Sequence, residues 1–92
     1  MIQSESIETR RKRVLYRANH RGTQEMDILI GGFVADGIEG FDEGMLDRIE
    51  KLMDQEETDL QAWILGQRGI PYTVDQALIA AIRDHKLAKA GA

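Results

Sequence analysis

Ninety-two residues with sixteen acids, twelve bases, a net charge of −4 and no cysteine make one domain, which excludes a two-domain enzyme, a disulfide-stapled fold and any thiolate chemistry. Apolar residues at 42% exceed what a disordered chain carries, yet the longest apolar run is far too short to span a bilayer, so no membrane insertion is expected. The first thirteen residues lack the apolar stretch of a secretory signal, and Glu5 and Glu8 argue against a matrix-targeting segment, so the expected compartment is the cytoplasm.

A first helix is expected over residues 7–20, where Ile7, Val14, Leu15 and Ala18 form a narrow apolar stripe on a surface covered in arginine. Gly22 ends it by accepting a left-handed backbone, and the Thr23 hydroxyl is placed to cap the next helix. Met26, Leu29, Ile30, Phe33 and Val34 then predict a second helix over 24–36, with Glu25 and Asp27 in the first turn, where the helix dipole favours acids. The adjacent Gly31 and Gly32 weaken it by about 1–2 kcal/mol relative to alanine, which implies a close backbone approach or a bend. Asp36, Gly37 and Gly40 mark a loop, after which Phe41, Met45, Leu46, Ile49, Leu52 and Met53 predict a third helix ending near residue 54. Thr58 with Gln61 has capping-box spacing and opens a short fourth helix carrying Leu60, Trp63, Ile64 and Leu65, with Trp63 in the core, as far as Gly66. Thr73 with Gln76 repeats that spacing after Pro71 and opens a fifth helix, with Val74, Ala77, Leu78, Ala81, Ile82 and His85 on one face, to near residue 88. No stretch alternates with period two for long enough to argue a strand. The expected fold is all-α, a compact single-domain five-helix bundle over residues 7–88, with flexible termini at 1–6 and 89–92.

Charge is segregated. Residues 1–25 carry +3, residues 26–66 carry −9 and residues 67–92 carry +2. The cluster Arg10, Arg11, Lys12 and Arg13, with Arg17 and Arg21 beyond, has the charge to attract nucleic acid or an acidic protein surface, or to be balanced by the acidic centre of the same chain. The catalytic inventory is poor. His20 and His85 are the only histidines, serine occurs only at positions 4 and 6, and Glu56, Glu57 and Asp59 lack the spacing of a calcium loop. The glycines do not follow the order of a phosphate loop, so no catalytic, metal or cofactor-binding residue is assigned, and a cofactor, if involved, belongs to a partner.

The segment Arg21-Gly22-Thr23-Gln24-Glu25 falls at the junction of the first two helices. It combines an arginine fork, a bare backbone and a carboxylate, each able to bond a partner; continuously helical, Arg21 and Glu25 would instead form an ordinary surface pair four positions apart. The stretch from Arg11 to Asp27, with Leu15-Tyr16 before the junction and Asp59-Leu60-Gln61-Ala62-Trp63 after it, resembles the succinate dehydrogenase flavinylation factors, also called succinate dehydrogenase assembly factor 2. These are small all-helical proteins with an Arg-Gly-x-x-Glu motif, matched here by Arg21, Gly22 and Glu25. The resemblance implies a maturation factor that binds the succinate dehydrogenase flavoprotein subunit, and in some cases that of fumarate reductase. It would promote covalent attachment of FAD to a histidine of that client rather than act as an enzyme alone. It also implies that Arg21, Gly22 and Glu25 contact the client, with Tyr16, Arg17 and Asp27 bordering the surface. One departure is Thr23, where the family commonly has methionine. The alternative is an antitoxin-like or nucleic-acid-binding regulator using Arg10, Arg11, Lys12 and Arg13.

Overall fold

In the computed structural model, which describes residues 6–90, the helices follow the apolar periodicity closely. Helix α1 spans Ile7–Asn19, α2 Gln24–Gly37, α3 Glu43–Met53, α4 Glu57–Ile64 and α5 Gln76–Ala90, with a 3-10 turn, Ile38–Gly40, after α2. No strand occurs among the described residues. The flexibility expected at residues 1–5 and 91–92 lies outside them; at Ser6 the hydroxyl accepts the Thr9 N–H at 3.1 Å and caps α1.

Each helix gives its apolar stripe to one core. Val14 and Ala18 of α1 meet Met26, Leu29, Ile30 and Val34 of α2; Leu46, Ile49, Leu52 and Met53 come from α3, Leu60, Trp63 and Ile64 from α4, and Leu78, Ile79 and Ile82 from α5. No polar or charged residue is buried among those described. Helix α1 packs on α2 and α3, while α2 and α4 pack on α5. Gly31 allows the first of these approaches, because a Cβ there would overlap the Asn19 carboxamide and stand 3.2 Å from the Ala18 carbonyl oxygen. Gly22, with φ at +111°, reverses the chain between α1 and α2. None of the described helices is long and apolar enough to cross a membrane.

Three helix starts differ from the sequence expectation: at two of them an aspartate accepts an N–H of the first turn, and at the third Glu56 stands at the N-cap without a side-chain capping bond. Asp42, not Phe41, begins α3, accepting the Met45 N–H at 2.8 Å, while the Phe41 ring lies against Gly37. Glu56 occupies the N-cap of α4, so Thr58 sits inside the helix and the Thr58–Gln61 box does not form. Asp75 accepts the Leu78 N–H at 3.0 Å and starts α5, leaving Thr73 in a turn closed by the Val74 N–H on the Pro71 carbonyl at 3.0 Å. An aspartate caps at least as well as threonine, and its charge also meets the helix dipole. The late start moves the buried face of α5 too: Ile79 is fully enclosed, Ala77 is exposed and Val74 precedes the helix. His85, expected in the final turn, lies a turn further in, since α5 runs to Ala90.

Candidate functional site

The α1–α2 corner is built by four consecutive residues. His20 ends α1 with its N–H on the Arg17 carbonyl at 3.3 Å, and its ring stacks on Tyr16 with centroids 4.0 Å apart. Arg21 follows, its backbone N–H donating to Asp27 Oδ1 at 2.5 Å, so the first turn of α2 clasps the end of the loop. At Gly22, which is exposed, no atom lies within 4 Å of the position a Cβ would take. Thr23 caps α2 through its hydroxyl, which accepts the Met26 N–H at 3.3 Å. The threonine that departs from the family pattern thus has a structural task here.

Of the residues singled out in the sequence, Arg21, Gly22 and Asp27 share this corner, and Glu25 stands exposed beside it on α2. The surface pair of Arg21 with Glu25 does not form, because the chain leaves the helix at His20. Nor does the guanidinium protrude: its side chain is 10% exposed. Nε and Nη2 donate to Glu57 Oε1 at 3.1 and 2.9 Å, and Nη1 donates to the Met53 carbonyl at 2.8 Å. Arg21 thereby ties the α1–α2 corner to the end of α3 and the start of α4. The Glu25 carboxylate accepts the Gln61 amide from α4 at 3.2 Å. Tyr16 is exposed at 64%.

The basic face of α1 turns onto the acids of α3. Arg10 bonds Glu50 at 2.8 Å and also Asp47, Arg13 bonds Glu50 at 2.6 Å, and Arg17 reaches Glu50 at 3.4 Å and Asp54 at 3.0 Å. The Arg11 guanidinium donates to the Phe41 carbonyl at 2.8 Å. Burial raises the Glu50 carboxyl pKa, but the hydrogen bonds from Arg10 and Arg13 outweigh it and hold the group below its ordinary range. Arg10 is correspondingly held above its own range, chiefly by its bond to Asp47. Arginines of the positive first segment are therefore paired with part of the negative centre inside the molecule. This is the internal balance the charge pattern allowed, and it engages Arg10 and Arg13 of the four cations of the nucleic-acid reading, while Arg11 is held by a neutral carbonyl. Among the described residues no three His, Asp or Glu side chains converge as metal ligands would.

A family model described as the flavinator of succinate dehydrogenase matches residues 12–86. The chain belongs to this family. It is similar to the FAD assembly factor SdhE of Acetobacter pasteurianus, 36% identical over 70 residues that cover 76% of this chain and 64% of the relative. It is also similar to the mitochondrial succinate dehydrogenase assembly factor 2 of Dictyostelium discoideum, 30% identical over 79 residues, with 86% and 56% of the two chains covered. The protein of the same name from Debaryomyces hansenii is 36% identical over 59 residues, or 64% of this chain and 42% of that one. The chain thus spans between 42% and 64% of the length of these curated relatives. No solved structure matches it.

Two residues that support the family motif escaped the sequence reading, Glu57 and Gln61 of α4. Glu57 was legible only as one of a cluster of acids, and Gln61 as half of a capping box that does not form and as part of the segment that carries the resemblance. Their partners lie 36 positions earlier, and no local signal carries such a pairing.

Proposed function

We infer that this chain is a maturation factor that binds the flavoprotein subunit of succinate dehydrogenase, with the fumarate reductase flavoprotein as a second client, and promotes covalent attachment of FAD to a client histidine. Its binding surface is the α1–α2 corner built by Arg21, Gly22 and Glu25 and bordered by Tyr16, Arg17 and Asp27. The observation that carries this reading is the family match over residues 12–86, in a chain whose motif corner presents a bare Gly22 backbone and an exposed Glu25 carboxylate. A glycine with open space above it lets another chain approach the backbone, and a carboxylate beside it accepts hydrogen bonds from that chain.

The chemistry on this reading belongs to the client. The histidine nitrogen and the flavin methyl carbon must approach each other, and a factor that binds the client conformation in which they do so raises its population by the difference in affinity between conformations. No proton-transfer group of the factor is required, and FAD need be held only by the client.

The test is co-purification with the succinate dehydrogenase flavoprotein subunit from the same cells, using the wild type and Glu25→Ala. Glu25 is exposed and outside the core, so the variant is expected to keep its unfolding midpoint while recovering less of the subunit. Equal recovery by both proteins would remove Glu25 from the interface, and recovery by neither would contradict the client assignment.

A further inference from the structure

The motif arginine faces inward. Its side chain is less exposed than those of Arg10, Arg13 or Arg17, and all three guanidinium nitrogens donate to groups of this chain. Glu57 gives both of its bonds through one oxygen. The other, Oε2, is buried, and no donor among the described residues reaches it. The desolvation of that oxygen offsets part of the pairing, and the pairing fixes one conformation of the Arg21 side chain.

What is fixed can be read from the neighbouring bond. Gln61 stands four positions after Glu57, on the same face of α4, as Glu25 stands four after Arg21 in the motif. One α4 side chain holds the first motif residue and the other holds the last, at 2.9 and 3.2 Å. Gly22 lies between the two grips. Its φ of +111° is held from both sides, by the Arg21 N–H on Asp27 and by the Thr23 cap.

We propose that Glu57 and Gln61 are positioning residues for the α1–α2 corner: Arg21 acts through Glu57, inside the molecule, to set the Gly22 backbone and the Glu25 carboxylate that the client meets. This rests on the client-binding reading of the corner. The opposing view, in which Arg21 swings out to pair with a client carboxylate, makes the opposite prediction for Glu57. Removing Glu57 would then release the guanidinium and leave binding unchanged or tighter. On the positioning view the same change loosens the corner and weakens binding.

The experiment is a titration of the full chain with the purified succinate dehydrogenase flavoprotein subunit, at a temperature where every variant is folded. Arg21→Ala and Glu57→Ala are each expected to weaken binding about tenfold, and the double variant to be no weaker than the poorer single one, since both remove the same contact. Glu57→Gln, which keeps an acceptor for the guanidinium, should recover most of the loss. Unchanged or tighter binding by Glu57→Ala, or additive losses in the double variant, would overturn the proposal. If the wild type does not bind the subunit, the client reading fails and the positioning claim is decided on the free chain. There Glu57→Ala should shift the Gly22 and Glu25 amide resonances and speed exchange of the Arg21 Nε–H, and an unaltered corner spectrum would refute it.

Discussion

Alanine at the two adjacent glycines of α2 is expected to move stability in opposite directions. At Gly31 a methyl group must turn the Asn19 carboxamide aside and press on the Ala18 carbonyl, which belongs to the backbone of α1 and yields little. That cost outweighs the helix-propensity gain, and Gly31→Ala should lose about 1–2 kcal/mol net. At Gly32 the methyl group would meet His85 Cε1 at 3.6 Å, an ordinary contact. Gly32→Ala should therefore gain about 0.5–1 kcal/mol from the restricted unfolded chain. Urea unfolding of the two variants checks both signs, and a gain at Gly31 would mean that α1 and α2 are not held at this distance. The sequence marked the pair as either a close approach or a bend. Choosing between them required Asn19, whose side chain meets Gly31 only once the corner has turned.

At the scale of the helix, the periodicity located all five helices and the apolar stripes of the first four, because spacing of three and four is a local property of the chain, while the stripe of α5 missed Ile79. The starts were less legible, since several capping residues compete and the winner depends on tertiary partners. Asp75 shows this. Its Oδ1 accepts the Leu78 N–H, and its two oxygens take a fork from Arg48 at 2.7 and 3.0 Å, a residue of α3 that no capping pattern includes. The hydrogen bond from Arg48 is the main cause that holds the Asp75 carboxyl below its ordinary range, against a smaller opposing effect of burial. With a folded value below the unfolded one, the contribution is fully present above the unfolded value and is lost as pH falls through the folded one. Asp75→Asn keeps a cap but not the charge, so it should be less stable than the wild type by about 1 kcal/mol at neutral pH, with the difference closing in acid. Thermal unfolding from pH 7 to pH 2 measures it, and a difference independent of pH would show that the ion pair contributes nothing.

Taken whole, the molecule uses its segregated charge to assemble itself. Arg10, Arg13 and Arg17 of α1 are held by Asp47 and Glu50 of α3 and by Asp54 at its end, and the motif arginine is held by Glu57 of α4, so the sequence features most suggestive of an outside partner are largely satisfied within the chain. The fold class and the place of Arg21, Gly22 and Glu25 at the junction of α1 and α2 were legible, because helix stripes and a short motif are both written locally. The inward orientation of Arg21 was not, since its carboxylate and its carbonyl partner arrive from 36 and 32 positions away. A surface matched in this way should not retard duplex DNA at moderate salt, because few free cations remain to displace counterions. On the proposed reading the client meets the Gly22 turn and the Glu25 carboxylate, bordered by Tyr16, Arg17 and Asp27, and the most direct test of that proposal is the covalent flavin of the client itself. In cells lacking this factor, in-gel flavin fluorescence of the denatured succinate dehydrogenase flavoprotein subunit should be low, should return with the wild-type chain, and should stay low with Glu25→Ala. Full fluorescence without the factor would contradict its role in flavinylation.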